Sequence, residues 1–561
     1  MFLQPTPGDV DIGRLPLDRA ALDRLCQHLP RQDPVTAQQA LCGLLSRHAA
    51  DGAADAARLS MLVALDGPAR QACERLLVRY VEGDAQLQLM QRRFYVSASR
   101  LSESMALACD GVLRHAVRPG AAARFERAAD AVVRLLAFRQ LEYLLRMFRY
   151  KKRYANQWRA LNEAFAFAME HGLHRQSVAV SPSEFLPVAT TTAERLYIQL
   201  LLLGAINGGQ LAPREALWAC RWFAHWCQSL SLTSAENGAA STGPLGFAID
   251  LNGSEGPVRK AVAAAGRALY LDTAPLSAMI DQQAALERDA GSTPNDRTDS
   301  TRHARLVLLG KLRVLFAPAP VLVERRGQRM PVDSVSQVVP GFAQVVHALR
   351  GTALPRVDPG PAASPLYEST IEAYGVPTRT RTHAAAPTPA PTPEIWQVRD
   401  RSDSGCRLRG RTAELNRVIP GSLLAMRASE SVPWTLTVVR RVRRLMVDHV
   451  EIGVEYVGHN PRYVKIVTDQ RRDPASGGDG NAEPRCAGAL YLPPSEKHPN
   501  MPIRTLLLPA RCFRSNGTVT LLASNAVYTL RLNEPIEHQT DFVWTSFTIV
   551  AKTDSLHAAL R

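Results

Sequence analysis

Cysteine is sparse and unpatterned. The nine thiols (Cys26, Cys42, Cys73, Cys109, Cys220, Cys227, Cys406, Cys486 and Cys512) form no C-x-x-C, show no Cys/His metal spacing and are odd in number. This excludes a disulfide framework and a zinc module, and the expectation is a reduced, cytoplasmic protein with no metal or cofactor. Lysine is nearly absent: 7 of the 67 basic residues, the other 60 being arginine. The net charge of +15 and pI of about 9.7 therefore reflect an arginine bias spread along the chain. No long Lys/Arg block is present, and charge alone does not make nucleic acid a partner. The most apolar run, Leu196 to Ala205, is too short and interrupted for an integral membrane segment. Met1 to Thr6 lacks the basic and apolar regions of a signal peptide. There is no G-x-S-x-G, H-E-x-x-H, P-loop or G-x-G-x-x-G, and the His residues are dispersed with no convincing catalytic pairing to a Cys or carboxylate, so nothing points to an enzyme.

What is present is 46 % hydrophobic residues over 561 positions, enough for three or four domains. The pattern predicts a multidomain α+β protein. Residues 1–235 carry helical periodicity, as in the stripe Phe138, Leu141, Leu145 and Phe148, and read as an all-α bundle or irregular solenoid. Breaks are expected at Gly67-Pro68, Pro119-Gly120 and Gly208-Gly209. The run Arg149-Tyr150-Lys151-Lys152-Arg153-Tyr154 reads as a solvated helix face. Trp218, Trp222 and Trp226 repeat every fourth position and read as core. Residues 236–350 are mixed: a strand over Leu245–Leu251, a polar loop over Gly291–Arg302, and helices near 275–288, 302–317 and 332–349.

Residues 351–393 are rich in Pro and Ala and end in Pro387-Thr388-Pro389-Ala390-Pro391-Thr392-Pro393. That density favours extended polyproline II, hence a linker that tethers a carboxy-terminal module to the helical body. Residues 394–468 alternate as strands: Trp434, Leu436 and Val438 on one face, Thr435, Thr437 and Val439 on the other. A small antiparallel barrel is expected there. Residues 469–488 read as a flexible connection and 489–561 as a further small β domain. Arg440, Arg441, Arg443 and Arg444 read as a solvent-facing strand end.

One stretch carries chemistry. Asp400, Ser402 and Gly405 stand as D-x-S-x-x-G between two strands. A carboxylate accepts two hydrogen bonds side by side, which suits the N1–H and N2–H₂ edge of guanine. Ser shapes the turn and Gly allows close backbone approach. Arg399 and Arg401 supply cations for phosphate and flat surfaces for stacking. Downstream come Val418-Ile419-Pro420-Gly421-Ser422-Leu423-Leu424, the strand Trp434–Arg440, and Ile452-Gly453-Val454-Glu455-Tyr456.

These four features, in this order, resemble the PilZ family of bacterial cyclic di-GMP receptors. The resemblance implies a β-barrel that binds cyclic di-GMP through Asp400, Ser402 and Gly405. It further implies an effector that passes ligand binding to a protein partner in motility, pilus, biofilm or polysaccharide control. The family's motif is preceded by R-x-x-x-R. In the window before Asp400 the nearest run is Arg379-Thr380-Arg381-Thr382-His383, with His at the second position. Arg379 and Arg381, with Arg399 and Arg401, are then the candidate phosphate clamps. The alternative is an adaptor that has lost the arginine pair, does not bind nucleotide and serves as a protein-interaction scaffold.

Overall fold

The computed structural model describes residues 19–50, 55–83, 88–116, 127–151, 155–206, 208–234, 246–259, 267–289, 296–317, 328–350, 392–411, 418–446, 448–468, 485–494, 503–522, 526–539 and 541–553. The chain divides into two compact units, Met1–Leu286 with Leu308–Val323, and Glu287–Val307 with Glu324–Arg561.

The first unit is helical, as its periodicity predicts. It holds α1 (Arg19–His28), α2 (Pro34–Ala50), α3 (Asp55–Glu82), α4 (Gln88–Ala116), α5 (Ala128–Phe148) and α6 (Ala155–Glu170). A small hairpin of β1 (Val178–Ala179) and β2 (Thr190–Thr191) leads to α7 (Ala193–Ala205) and α8 (Pro213–Trp226). Then β3 (Leu232–Ser234), β4 (Gly246–Asp250) and β5 (Ala268–Asp272) form a sheet in the order β3-β5-β4, followed by α9 (Ala274–Asp289). Unit boundaries fall within α9, after Leu286, and within α10 (Asp296–Leu315), after Val307. A helix apolar on every side must be enclosed, and α5 is buried along nearly its whole length, with the Phe138 to Phe148 stripe inside. Trp218, Trp222 and Trp226 are all core.

The expected break at Gly67-Pro68 does not occur: α3 runs through Pro68. Proline removes the N–H that would bond the carbonyl four residues back. Here the Cys26 thiol donates to that carbonyl, Ala64 O, at 3.5 Å. Gly67 leaves room for Ser181, whose Oγ lies 2.7 Å from where a Cβ would stand. The run at Arg149 is also not a solvated helix face throughout. Tyr150 is buried in a left-handed turn (φ 53°) just past α5, and the Arg149 guanidinium lies 5.0 Å from the Tyr95 ring centroid.

The second unit contains two closed six-stranded barrels. The first is built from β6 (Met330–Pro340), β7 (Glu394–Ser402), β8 (Gly405–Arg411), β9 (Leu423–Arg427), β10 (Thr435–Arg444) and β11 (His449–His459), in the order β10-β11-β8-β7-β6-β9. The second uses β12 (Arg462–Thr468), β13 (Arg485–Leu492), β14 (Thr505–Pro509), β15 (Thr518–Leu522), β16 (Val527–His538) and β17 (Phe542–Thr553), in the order β12-β13-β14-β17-β16-β15. Helix α11 (Phe342–Arg350) follows β6.

Several expected boundaries move. The helix expected over 332–349 is strand β6 followed by the shorter α11. The amino-terminal half of β6 is exposed on both faces, which erases the alternation that marks a strand. Gly341 (φ 89°) turns the chain into α11. The loop expected over 291–302 becomes α10 from Asp296 onward. The first barrel begins at 330 rather than 394, and 462–468 belongs to the second barrel. The Pro-rich segment therefore enters from α11 and leaves into β7, with β6 and β7 paired side by side. It is an insertion within one barrel, not a tether to the helical unit.

The barrels share a core. Val339, Leu423, Leu436 and Val438 of the first, Phe342, Val345 and Leu349 of α11, and Leu490, Leu507, Phe542 and Trp544 of the second form one buried cluster. Strand β10 is thus buried on both faces from Leu436 to Val439. Between the barrels the chain turns at Asn460 (φ 53°), whose N–H donates to Trp434 O at 3.0 Å. Arg440 is no free strand end. It binds Glu455 of its own barrel at 2.7 Å and Glu537 of the other at 2.5 and 2.7 Å.

Candidate ligand site on the first barrel

The D-x-S-x-x-G stretch is a hairpin. Strands β7 and β8 are joined by Asp403-Ser404, with Ser402 paired to Gly405 and Arg401 to Cys406. The Ser402 hydroxyl donates to Gly405 O at 3.2 Å, and Tyr456 N–H donates to Ser404 O at 2.9 Å, fixing the turn from β11. Gly405 is required by packing: an added Cβ would stand 2.0 Å from Val454 O.

Between Val398 and Asp400 the register shifts, because Val398 pairs Leu408 while Asp400 pairs Arg407. Arg399 is the extra residue of this bulge, a device that re-aims side chains. Asp400 shares the buried face of β7 with Trp396 and Val398, while Arg399 and Arg401 are exposed. The sequence grouping is thereby divided. Asp400 faces inward and the two adjacent arginines face outward. Arg379 and Arg381 lie outside the described residues.

Other arginines meet Asp400. Arg407 Nη2 donates to Oδ2 at 2.6 Å and Arg329 Nη1 to Oδ1 at 3.3 Å. The carboxylate is only 8 % exposed, whereas Arg329 and Arg407 are 51 and 42 % exposed. The site is a recessed carboxylate flanked by two solvent-facing guanidiniums. Arg407 also lies 3.8 Å from Glu451 Oε1. Beside them, Arg401 Nε donates to the Tyr456 hydroxyl at 3.0 Å. Burial pushes the Tyr456 phenol up to about 12 and the Cys406 thiol up to about 11, so both stay protonated and neither acts as a nucleophile at neutral pH.

Arg329 is the residue that sequence reading missed. Pairing of Met330 with Arg401 and Pro331 with Asp400 brings it to the motif. It closes the run Arg325-Arg326-Gly327-Gln328-Arg329, an R-x-x-x-R. Arg325 itself lies outside the described residues. The four-residue arginine spacing was the available signal, but it stands some seventy positions before Asp400.

Comparison with known families bears on the other unit. Residues 20–237 match the model described as cyclic-di-GMP receptor FimW, N-terminal domain. The FimW match runs from α1 to just beyond β3 and stops before both barrels. No curated protein matches the chain. Among the described residues no helix is long and apolar enough to cross a membrane, and no group of three or more His, Cys, Asp or Glu is placed to hold a metal ion.

Proposed function

We propose that this protein is a non-enzymatic cyclic di-GMP receptor whose nucleotide site is on the first barrel. The observation that carries the reading is the meeting of Asp400 with Arg329, because it brings the last arginine of an R-x-x-x-R sequence, just before β6, to the D-x-S-x-x-G turn. That is the motif pair of the PilZ family, and the FimW match of the helical unit points independently to the same ligand. In this reading Asp400 accepts from a guanine edge, and Ser402 and Gly405 set the turn. Arg329, Arg399, Arg401 and Arg407 meet phosphates or stack on the bases, contacts that are charge-assisted and often bidentate. Ligand phosphate draws Arg329 and Arg407 away from Asp400 and frees its oxygens for guanine. The receptor works in the cytoplasm and passes the change to a protein partner in motility, pilus or biofilm control.

The test is calorimetric titration of the full chain with cyclic di-GMP. Saturable binding is expected, weakened at least tenfold in Arg329→Ala and in Asp400→Ala. The variant Arg379→Ala/Arg381→Ala reports whether the insertion adds contacts. A folded wild type that gives no heat overturns the proposal and leaves the adaptor reading, whose sequence support was the apparent loss of R-x-x-x-R.

A further inference from the structure

The second barrel and its junction with the first hold a cleft of about 810 Å³ that does not include Asp400 or Arg329. Its walls are unusually aromatic. Trp434 comes from the first barrel, and Tyr463, Tyr491, Tyr528 and Phe547 come from the second. Leu521, Leu522 and Leu530 also line the cleft. Trp434 is buried beneath the Arg427 guanidinium, 4.3 Å from its ring centroid, and Tyr491 and Phe547 lie 6.4 Å apart, centroid to centroid.

The charges fall in two sets. Arg427 is committed, donating to Gln337 Oε1 at 2.8 Å and lying 4.0 Å from Glu430. Arg462 and Arg504, also at the cleft, are exposed, and their guanidiniums make no hydrogen bond or ion pair with any described residue. Glu430 is the only acid among the described lining residues, so three arginines there face one carboxylate. Flat apolar rings beside uncommitted guanidiniums suit a ligand that has both a planar ring and an anionic group. Bases of any kind stack on aromatic side chains, and guanidinium matches phosphate geometry. The volume lies within the range of small-molecule sites, ~300–1,000 Å³.

We infer that this cleft is a second ligand site, built for a nucleotide: the base stacks among the tyrosines and Phe547, and the phosphate lies between Arg462 and Arg504. The site is separate from the one proposed around Asp400 and stands or falls independently of it.

The experiment uses the full chain carrying Asp400→Ala and Arg329→Ala, so that the first site does not contribute. The probes are the four ribonucleoside monophosphates, titrated calorimetrically, with guanosine and inorganic phosphate as controls. Saturable binding of at least one nucleotide is expected, weakened tenfold or more by Arg462→Ala/Arg504→Ala and by Tyr528→Ala. Both arginines are exposed, so their removal leaves the fold intact, which an unchanged melting temperature checks. No saturable binding of any of the four up to millimolar concentration overturns the proposal, as does binding unaffected by the arginine substitutions. Equal affinity for guanosine overturns the phosphate assignment, and equal affinity for phosphate overturns the ring assignment.

Discussion

At the scale of single residues, Gly405 and His538 give contrasting predictions. Gly405 sits against Val454 O with no room for a methyl group. Gly405→Ala is therefore expected to cost about 1–3 kcal/mol of folding stability, typical of overpacking, read as a lower denaturant midpoint. His538 is buried on β16 next to the His303 ring, 4.9 Å away. Burial, and then His303, push its imidazole from the ordinary 6.5 down to about 4. The unfolded chain takes up this proton first as pH falls, so the neutral-His538 contribution is complete above pH 6.5 and is lost toward pH 4. Thermal melts at pH 7 and 4.5 should show a larger loss for wild type than for His538→Phe. Equal losses would remove His538 from the acid sensitivity. What was readable at this scale followed locality. Asp400, Ser402 and Gly405 lie within six positions and form one hairpin. Arg329 was unreadable because β6–β7 pairing, not sequence proximity, brings it to Asp400.

At the scale of elements, α3 tests how a helix tolerates an internal proline. The carbonyl that Pro68 leaves unpaired is taken by Cys26. Cys26→Ala should destabilise the protein by about 1 kcal/mol, the usual net worth of a hydrogen bond, here one to a part-buried acceptor. Pro68→Ala should restore the backbone bond and make the Cys26 substitution nearly neutral. Chemical denaturation of the two single variants and the double variant gives the coupling. Sequence predicts a stop at Gly67-Pro68 because proline breaks isolated helices. A neighbouring helix supplying a donor lies beyond any local pattern. Strand β6 went unread for a related reason. Its first residues are exposed on both faces, while Ser336 and Val338 to Pro340 are buried by partners on either side.

At the scale of the whole molecule, the two barrels behave as one body because α11 and the shared cluster fill the space between them. Arg440 adds ion pairs to Glu455 and Glu537 across that junction. Phe342→Ala removes a buried ring from the cluster and should cost about 3–5 kcal/mol, with both barrels unfolding in one transition rather than two. The Pro-rich insertion should matter little to this body. Replacing residues 354–390 with a Gly/Ser loop of about a dozen residues is expected to leave the melting temperature nearly unchanged, since loop closure depends only weakly on length. The same variant removes Arg379 and Arg381. Unchanged cyclic di-GMP binding would assign the phosphate contacts to arginines of the barrel itself. A steep fall in stability would return the segment to a structural role.

The sequence alone determined the helical amino-terminal part, the barrel alternation after residue 394, the aromatic core of α8 and the turn carrying Asp400. Each depends on residues a few positions apart, whose periodicity or turn chemistry is set by the local backbone. Only the tertiary structure decided that β6 closes the first barrel, that Arg329 meets Asp400, that the Pro-rich segment is an insertion, and that the second barrel shares a core with the first. Each of those depends on strand pairing or burial across tens of residues, where the favourable contact forms only after the chain between has been closed into a loop.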